Sequence, residues 1–277
     1  MAKRALLSLL QSRFPTETKD ELFARVLCGE VFVDGERVKD PKRQVSLDAE
    51  VDLESPRFVS RGAEKLEAAL DAWEVAVSGK VFLDAGASTG GFTDCLLQRG
   101  AALVHAVDVG FNQLDYRLRE DERVVVHERT NITAVDRLDP PADVAVCDLS
   151  FRSLGGVARR LLALSREGWF IALVKPQFEW RNPPASFDGV VRRREDAHRI
   201  LTDTLERLAA DGAVPTRLIA SPIRGRRGNH EYLVMCEDAG TGGRAGAARE
   251  PLAAGGGEPD GRRQSPRELV AALEEHW

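Results

Sequence analysis

The stretch from Val81 to Phe92, Val-Phe-Leu-Asp-Ala-Gly-Ala-Ser-Thr-Gly-Gly-Phe, constrains this chain more than any other. An apolar run ends in Asp84, a loop of small residues follows, and a helical segment from Phe92 to Gln98 stops at Gly100. Strand, glycine loop and helix in that order open a doubly wound α/β sheet. Gly86, Gly90 and Gly91 carry no side chain to keep a ligand from the backbone. The helix start behind them leaves N–H groups free. The spacing is not Gly-x-Gly-x-x-Gly, so a nucleoside without a pyrophosphate fits better than a dinucleotide. A tight βα turn that binds nothing is the competing reading of the loop alone.

The remaining chain adds weight to the ligand. Strands are predicted at Ala102–Val107, Arg123–Val126, Asp143–Cys147, Trp169–Val174, Val214–Ala220 and Glu231–Cys236. Helices alternate with them, from Arg61 to Trp73 with Ser60 as cap, from Ser153 to Leu164 and from Glu195 to Ala210. This alternation predicts a mostly parallel sheet whose last strand is antiparallel, because only the short segment Ser221–His230 precedes it. Ligands of such sheets bind at the carboxyl ends of the strands. Asp84, Asp108, Asp148 and Lys175 all fall there, and an antiparallel last strand brings its first residue, Glu231, to the same rim. Asp108 stands 22 residues beyond Gly86, where a carboxylate can accept from both hydroxyls of a ribose. Asn131 follows the third strand and reads equally as an adenine contact or a loop cap. Residues 177–192 read as a substrate-side loop.

Two lysines and two carboxylates suit removal of a proton from a weak acid such as a ribose hydroxyl. A lysine is a poor base at its free pKa. Burial and a neighbouring ammonium lower that value, whereas carboxylates fix the group and raise it. A salt-bridge network without catalysis is the plain alternative. The histidines are scattered, no Ser–His–Asp arrangement appears, and no metal-ligand spacing is present.

Residues 1–56 read as a separate α+β unit. Leu6, Leu7, Leu9 and Leu10 mark one helix. Thr18 with Glu21 makes a capping box for a second, which has Leu22, Phe23, Val26 and Leu27 on its apolar side and Gly29 as its stop. Val31–Val38 predicts a hairpin turning at Asp34-Gly35, and Val45–Leu53 a further strand. Lys19, Arg25, Arg37, Lys39, Lys42 and Arg43 could meet phosphates, although acidic residues are almost as common in this unit. The helix–helix–hairpin order resembles the αL RNA-binding motif, known from a ribosomal small-subunit protein and from pseudouridine synthases.

The whole chain of 277 residues carries a net charge of −5, so any nucleic-acid contact must be local. With 43% hydrophobic and 30% charged residues it has the composition of a soluble globular protein. Cys28, Cys95, Cys147 and Cys236 are far apart in mostly apolar surroundings and read as reduced thiols of a cytoplasmic protein. No stretch is long enough to span a membrane. Residues 239–277 read as a Gly/Ala/Arg-rich tail in which Ser265 and Glu268 can cap a short helix.

Six ordered motifs carry a family resemblance: Ser60-Arg-Gly-Ala-Glu-Lys-Leu66, Asp84 to Thr93, Ala106-Val-Asp-Val-Gly110, Cys147-Asp-Leu-Ser-Phe151, Val174-Lys-Pro-Gln-Phe178 and Gly228-Asn-His-Glu-Tyr232. Together they resemble the TlyA family, haemolysin-like ribosomal RNA methyltransferases related to the FtsJ-type 2′-O-ribose enzymes. The match covers about residues 1–236. It implies a Rossmann-like class I methyltransferase domain over 57–238, behind the αL-motif domain. It implies S-adenosylmethionine held by Asp84, Gly86, Ser88, Thr89, Gly90, Gly91 and Phe92, with Asp108 on the ribose. It also implies a tetrad of Lys65, Asp148, Lys175 and Glu231, with Lys175 as base and ribosomal RNA as substrate. The linker Ser55-Pro-Arg-Phe58 lacks the tryptophan associated with the family. A base-N-methyltransferase usually carries Asp/Asn-Pro-Pro-aromatic where this chain has Asp148-Leu-Ser-Phe151. A non-catalytic RNA-binding factor would keep the fold and bind ligand without turnover. A membrane-acting haemolysin lacks any amphipathic or spanning segment here.

Overall fold

The computed structural model describes residues 3–53, 57–150, 153–225, 227–241 and 263–273. The chain divides into two compact units, Met1–Arg57 and Phe58–Trp277. The linker residues Ser55 and Pro56, and the tail over 242–262, lie outside the described residues.

In the first unit, β1 (Lys3–Ala5) leads into α1 (Leu6–Arg13), and α2 (Lys19–Cys28) follows. Thr18 and Glu21 form the expected reciprocal capping box, and Gly29 ends α2 at φ 77°, a left-handed stop that only glycine adopts without strain. The strands are β2 (Val31–Val33), β3 (Glu36–Val38), β4 (Gln44–Ser46) and β5 (Val51–Leu53). Asp34 and Gly35 both have positive φ, as a two-residue hairpin loop requires. The single strand expected over Val45–Leu53 is instead two. Leu47 to Glu50 turn between β4, which pairs with β1, and β5, which pairs with β2. Leu22 and Val26 are buried with Leu6, Leu9 and Leu10. Phe23 and Leu27, expected on the same apolar side, are 43% and 52% exposed, because they follow one position round the helix from the buried pair.

The second unit begins with α3 (Gly62–Ala72), then β6 (Val81–Ala85), α4 (Gly91–Gln98), β7 (Leu103–Val107), α5 (Tyr116–Arg119), β8 (Val124–His127) and β9 (Val144–Cys147). It continues through α6 (Ala158–Leu164), β10 (Trp169–Val174), α7 (Pro176–Glu179), α8 (Arg194–Ala210), β11 (Ala213–Ala220) and β12 (Tyr232–Asp238) to α9 (Pro266–Ala271). Arg61, not Ser60, is the N-cap of α3, and its side chain makes no capping bond. Ser60 contributes its carbonyl to Ala63 N instead.

The sheet order is β11-β12-β10-β9-β6-β7-β8, with β12 antiparallel to both neighbours and the other pairs parallel. This is the Rossmann-like methyltransferase architecture with its last strand reversed. Alternation along each strand divides the core. Phe82, Val104, Val146 and Ile171 face α3 and α4, while Leu83, Ala85, Ala145 and Phe170 face α6 and α8. Helices therefore cover both faces, and polar residues are left at the strand ends. Cys95, Cys147 and Cys236 are buried free thiols. Burial pushes the Cys147 thiol up to about 12, which makes it inert packing. The Cys28 side chain lies outside the described residues. Among the described residues no helix is long and apolar enough to cross a membrane.

Candidate active site

The carboxyl ends of the central strands gather the ionisable residues. Asp84 lies on β6 with Ala106 on one side and Val146 on the other, in the middle of the sheet. It is fully buried. Thr93 Oγ1, in the first turn of α4, donates to Asp84 Oδ2 at 2.7 Å, whereas Oδ1 has no hydrogen-bond partner. Burial, with some help from the nearby charges of Asp148 and Asp108, pushes the Asp84 carboxyl up to about 7 against the pull of Thr93. Thr93 is a site residue to which the sequence reading gave no role. Its signal was a hydroxyl one residue into the glycine-loop helix beyond Phe92.

The glycine loop is tightly tied to the protein. Gly86 N donates to Val107 O at 2.8 Å, and Ser88 N to Asp108 Oδ2 at 2.9 Å. Asp108 Oδ1 accepts from Gly110 N at 2.6 Å. One carboxylate thus braces the loop and the end of β7. Lone pairs remain for further donors, as a ribose diol needs. The glycines also make room for neighbouring protein atoms. A Cβ on Gly86 would stand 2.7 Å from the Asp148 carbonyl oxygen, and one on Gly91 would stand 2.3 Å from Ser60 Oγ. Gly90 has φ 96°, and its Cβ would collide with Leu118. Phe92, expected at the ligand, is 3% exposed in the core beneath α3 and α4, because an aromatic ring gains more there than at a polar rim. Ser88 and Thr89 are exposed on the loop. A narrow cleft beside it is lined by Ala87, Ser88, Asp108, Gly110, Gln113 and Glu128. Asn131 caps a short 3-10 turn: its Oδ1 accepts from Thr133 N at 3.1 Å and Oγ1 at 3.0 Å. That oxygen therefore serves the loop.

Two lysine–carboxylate pairs occupy the same end of the sheet. Val174 and Tyr232 are the last and first residues of adjacent strands and pair with each other. Lys175 directly follows the one strand and Glu231 directly precedes the other, so both stand at one rim. Lys175 Nζ lies 2.6 Å from Asp148 Oδ1. Lys175 Nζ donates to Ser150 Oγ at 3.2 Å, a contact the sequence did not reveal. Lys65, on α3, donates from Nζ to Glu231 Oε2 at 2.6 Å. The side chains of Lys65, Lys175 and Glu231 are 11%, 9% and 4% exposed. Each of these nearly buried groups has an oppositely charged type of side chain beside it, which offsets its removal from water. A larger groove of about 460 Å³ lies between α7 and α8, but none of these four residues lines it, and its three arginines face three acids.

In the first unit the six expected phosphate contacts divide. Arg25 is held by Glu17 at 2.7 Å, Arg43 by Glu36 at 2.7 Å, and Arg37 lies 5.0 Å from the centroid of the Phe32 ring. Lys19, Lys39 and Lys42 are exposed. Among the described residues no group of histidine, cysteine or acidic side chains is arranged to hold a metal.

A mostly parallel sheet with a reversed last strand is the architecture of the Rossmann-like methyltransferases. The family model of the FtsJ-like methyltransferases matches residues 58–237. The chain is 40% identical over 242 residues to the Mycobacterium tuberculosis 16S/23S rRNA (cytidine-2′-O)-methyltransferase TlyA, covering 84% of this chain and 90% of that one. It is 37% identical over 223 residues to a Brachyspira hyodysenteriae protein named Hemolysin A, covering 79% and 93%. A solved structure from Streptococcus thermophilus, named as a hemolysin, superposes with a TM-score of 0.63 at 37% identity, over 86% of this chain and 89% of that one. The chain belongs to the TlyA family of FtsJ-like methyltransferases. S-adenosylmethionine is the methyl donor, and the residues present fit it. Asp84 Oδ1 is a buried acceptor without a donor, and Asp108 offers lone pairs beside the cleft.

Proposed function

We propose that this protein methylates the 2′-hydroxyl of a ribose in ribosomal RNA, in the cytoplasm, with Lys175 as the base. The observation that carries the reading is the pair of ion pairs at one sheet rim, Lys175–Asp148 and Lys65–Glu231, each at 2.6 Å. A hydroxyl is a weak acid, so methyl transfer to its oxygen needs a partner that takes the proton as the O–C bond forms. Lys175 Nζ, as the neutral amine, receives that proton. Asp148 then stabilises the resulting ammonium, and Ser150 fixes its direction. Lys65 and Glu231 neutralise each other and keep the second wall of the rim charged but balanced, where they can orient the ribose. S-adenosylmethionine supplies the electrophilic methyl group when bound, and Asp84, Gly86, Ser88, Thr89, Gly90, Gly91 and Asp108 would hold it. Asn131 would bound the adenine side through its backbone or the amide nitrogen.

The 2′-hydroxyl distinguishes RNA from DNA, so the proposed chemistry selects RNA by its reactive group. The first unit would add affinity through Lys19, Lys39 and Lys42, with Arg25, Arg37 and Arg43 exchanging internal partners for phosphates. The relatives named as rRNA (cytidine-2′-O)-methyltransferases support this substrate. The experiment is ribose-methylation mapping of ribosomal RNA after incubation with the wild-type protein or Lys175→Ala. A new 2′-O-methyl mark made only by the wild type is the expected result. A mark made equally by Lys175→Ala would remove that lysine as base, and methylation of a base nitrogen would overturn the reaction class.

A further inference from the structure

The motif Gly228-Asn-His-Glu-Tyr232 supplies Glu231 to the proposed rim, but it holds a second buried polar residue, Asn229, only 3% exposed. Its Oδ1 accepts from Val191 N at 2.8 Å, and its Nδ2 donates to Gly189 O at 2.9 Å. One side-chain amide thus pairs with the backbone of residues 189–191 in the way a neighbouring strand would. The Asn229 carbonyl accepts from Gly225 N at 2.9 Å and closes its own turn. That turn is packed against the rim: a Cβ on Gly225 would stand 2.3 Å from Glu231 Oε1. Arg227 Nη1 adds a bond to Asp188 O at 3.2 Å. Two residues beyond Asn229, Glu231 holds Lys65.

The segment clasped here runs from α7, which begins directly after Lys175, to α8, and no strand forms over Arg181–Arg193. Lacking a ladder, its position beside the rim depends on side chains. We propose that Asn229 is a positioning residue for methyl transfer, fixing residues 188–191 as a substrate wall in register with the Lys65–Glu231 pair. This rests on the RNA ribose methyltransferase reading given above. The hydrogen bonds of Asn229 go to Val191, Gly189 and Gly225, none of which belongs to the proposed tetrad or the cofactor loop. Its loss therefore misplaces the substrate wall and leaves the S-adenosylmethionine site as it was. A displacement of about 1 Å at such a distance is worth on the order of 100-fold in rate.

The test compares wild type, Asn229→Ala and Asn229→Asp as full-length proteins. Turnover on ribosomal RNA, affinity for S-adenosylmethionine by calorimetry, and amide hydrogen exchange over residues 187–193 are read from the same preparations. Asn229→Ala is expected to lower kcat by about 100-fold, to speed exchange at Val191, and to bind S-adenosylmethionine as the wild type does. Asn229→Asp, which still accepts from Val191 N but cannot donate to Gly189 O, is expected to fall between the two. A kcat within twofold of wild type in Asn229→Ala would overturn the proposal, and so would unchanged exchange. If Asn229→Ala fails to fold, Asn229→Asp decides: equal loss of kcat and cofactor affinity there would make Asn229 purely structural and overturn it. A wild type that binds S-adenosylmethionine yet methylates no RNA would overturn the functional reading instead, and the exchange data would still decide whether the clasp exists.

Discussion

Asp84 shows how one residue can trade stability for binding. Its carboxyl is fully buried, has one oxygen without a donor and is pushed up to about 7. A carboxyl raised in the folded state binds a proton that the unfolded chain has already released, so its contribution falls as pH rises from about 4 to about 7 and stays low above that. The full penalty is at most about 4 kcal/mol. The pair of buried His105 and half-buried His127, whose ring nitrogens are 3.1 Å apart, acts in the opposite sense. Burial lowers both, so acid below their ordinary range destabilises the fold. Comparing Asp84→Asn with wild type isolates the carboxyl. The variant is expected to melt higher than wild type at pH 8 and to lose that advantage near pH 4, by thermal denaturation at each pH. It should also bind S-adenosylmethionine more weakly by calorimetry. Equal melting differences at both pH values would show that Asp84 is not protonated as described. Lys175→Ala is expected to abolish transfer while wild-type S-adenosylmethionine affinity remains, because the role proposed for Lys175 is removal of the hydroxyl proton and not binding of the methyl donor. The identities of these residues were legible in the sequence, and their protonation was not, since burial is a property of the packed sheet.

At the scale of elements, the glycine loop and the helices around it carry the argument. The loop was legible as strand, turn and helix, but its glycines were expected to clear space for a ligand. In the folded protein they also clear space for Asp148, Leu118 and Ser60. Gly86→Ala is therefore expected to lower the melting temperature as well as cofactor binding. It places a Cβ 2.7 Å from a backbone carbonyl at φ 89°, where side chains are rarely accommodated. A variant that melts with wild type would mean that the loop has slack. Ser60 was misread as a helix cap because its hydroxyl and the following apolar periodicity fit that role. Packing of α3 against Gly91 decided otherwise. The capping boxes at Thr18 and Ser265 were readable because both partners are three residues apart. The helix that Ser265 begins returns to the core: Leu269 and Val270 are buried, and Arg267 pairs with Glu206 at 3.1 Å. Truncation after Thr241 is expected to lower the melting temperature of the second unit by several degrees, measured by calorimetry. An unchanged transition would make α9 dispensable.

At the scale of the whole molecule, two compact units share one chain. A protein of net charge −5 needs local basic groups to hold RNA, and in the first unit Lys19, Lys39 and Lys42 are exposed while Arg25 and Arg43 are paired with acids. Deleting residues 1–56 is expected to weaken RNA binding and flatten its salt dependence, while S-adenosylmethionine binding persists. Filter binding over a salt series measures both, and unchanged affinity would make the first unit a bystander. The sequence by itself determined the alternation of the main strands and helices of the second unit, the parallel sheet with its reversed last strand, and the family, because periodicity, caps and ordered motifs are local signals; the short elements β1, α5 and α7 and the break between β4 and β5 carried no such signal. Only the tertiary structure decided which carboxylate each lysine takes, that Phe92 belongs to the core, and that Asn229 bridges two loops. Those contacts join residues tens to more than a hundred positions apart, and their distances exist only once the sheet has set the register of its strands.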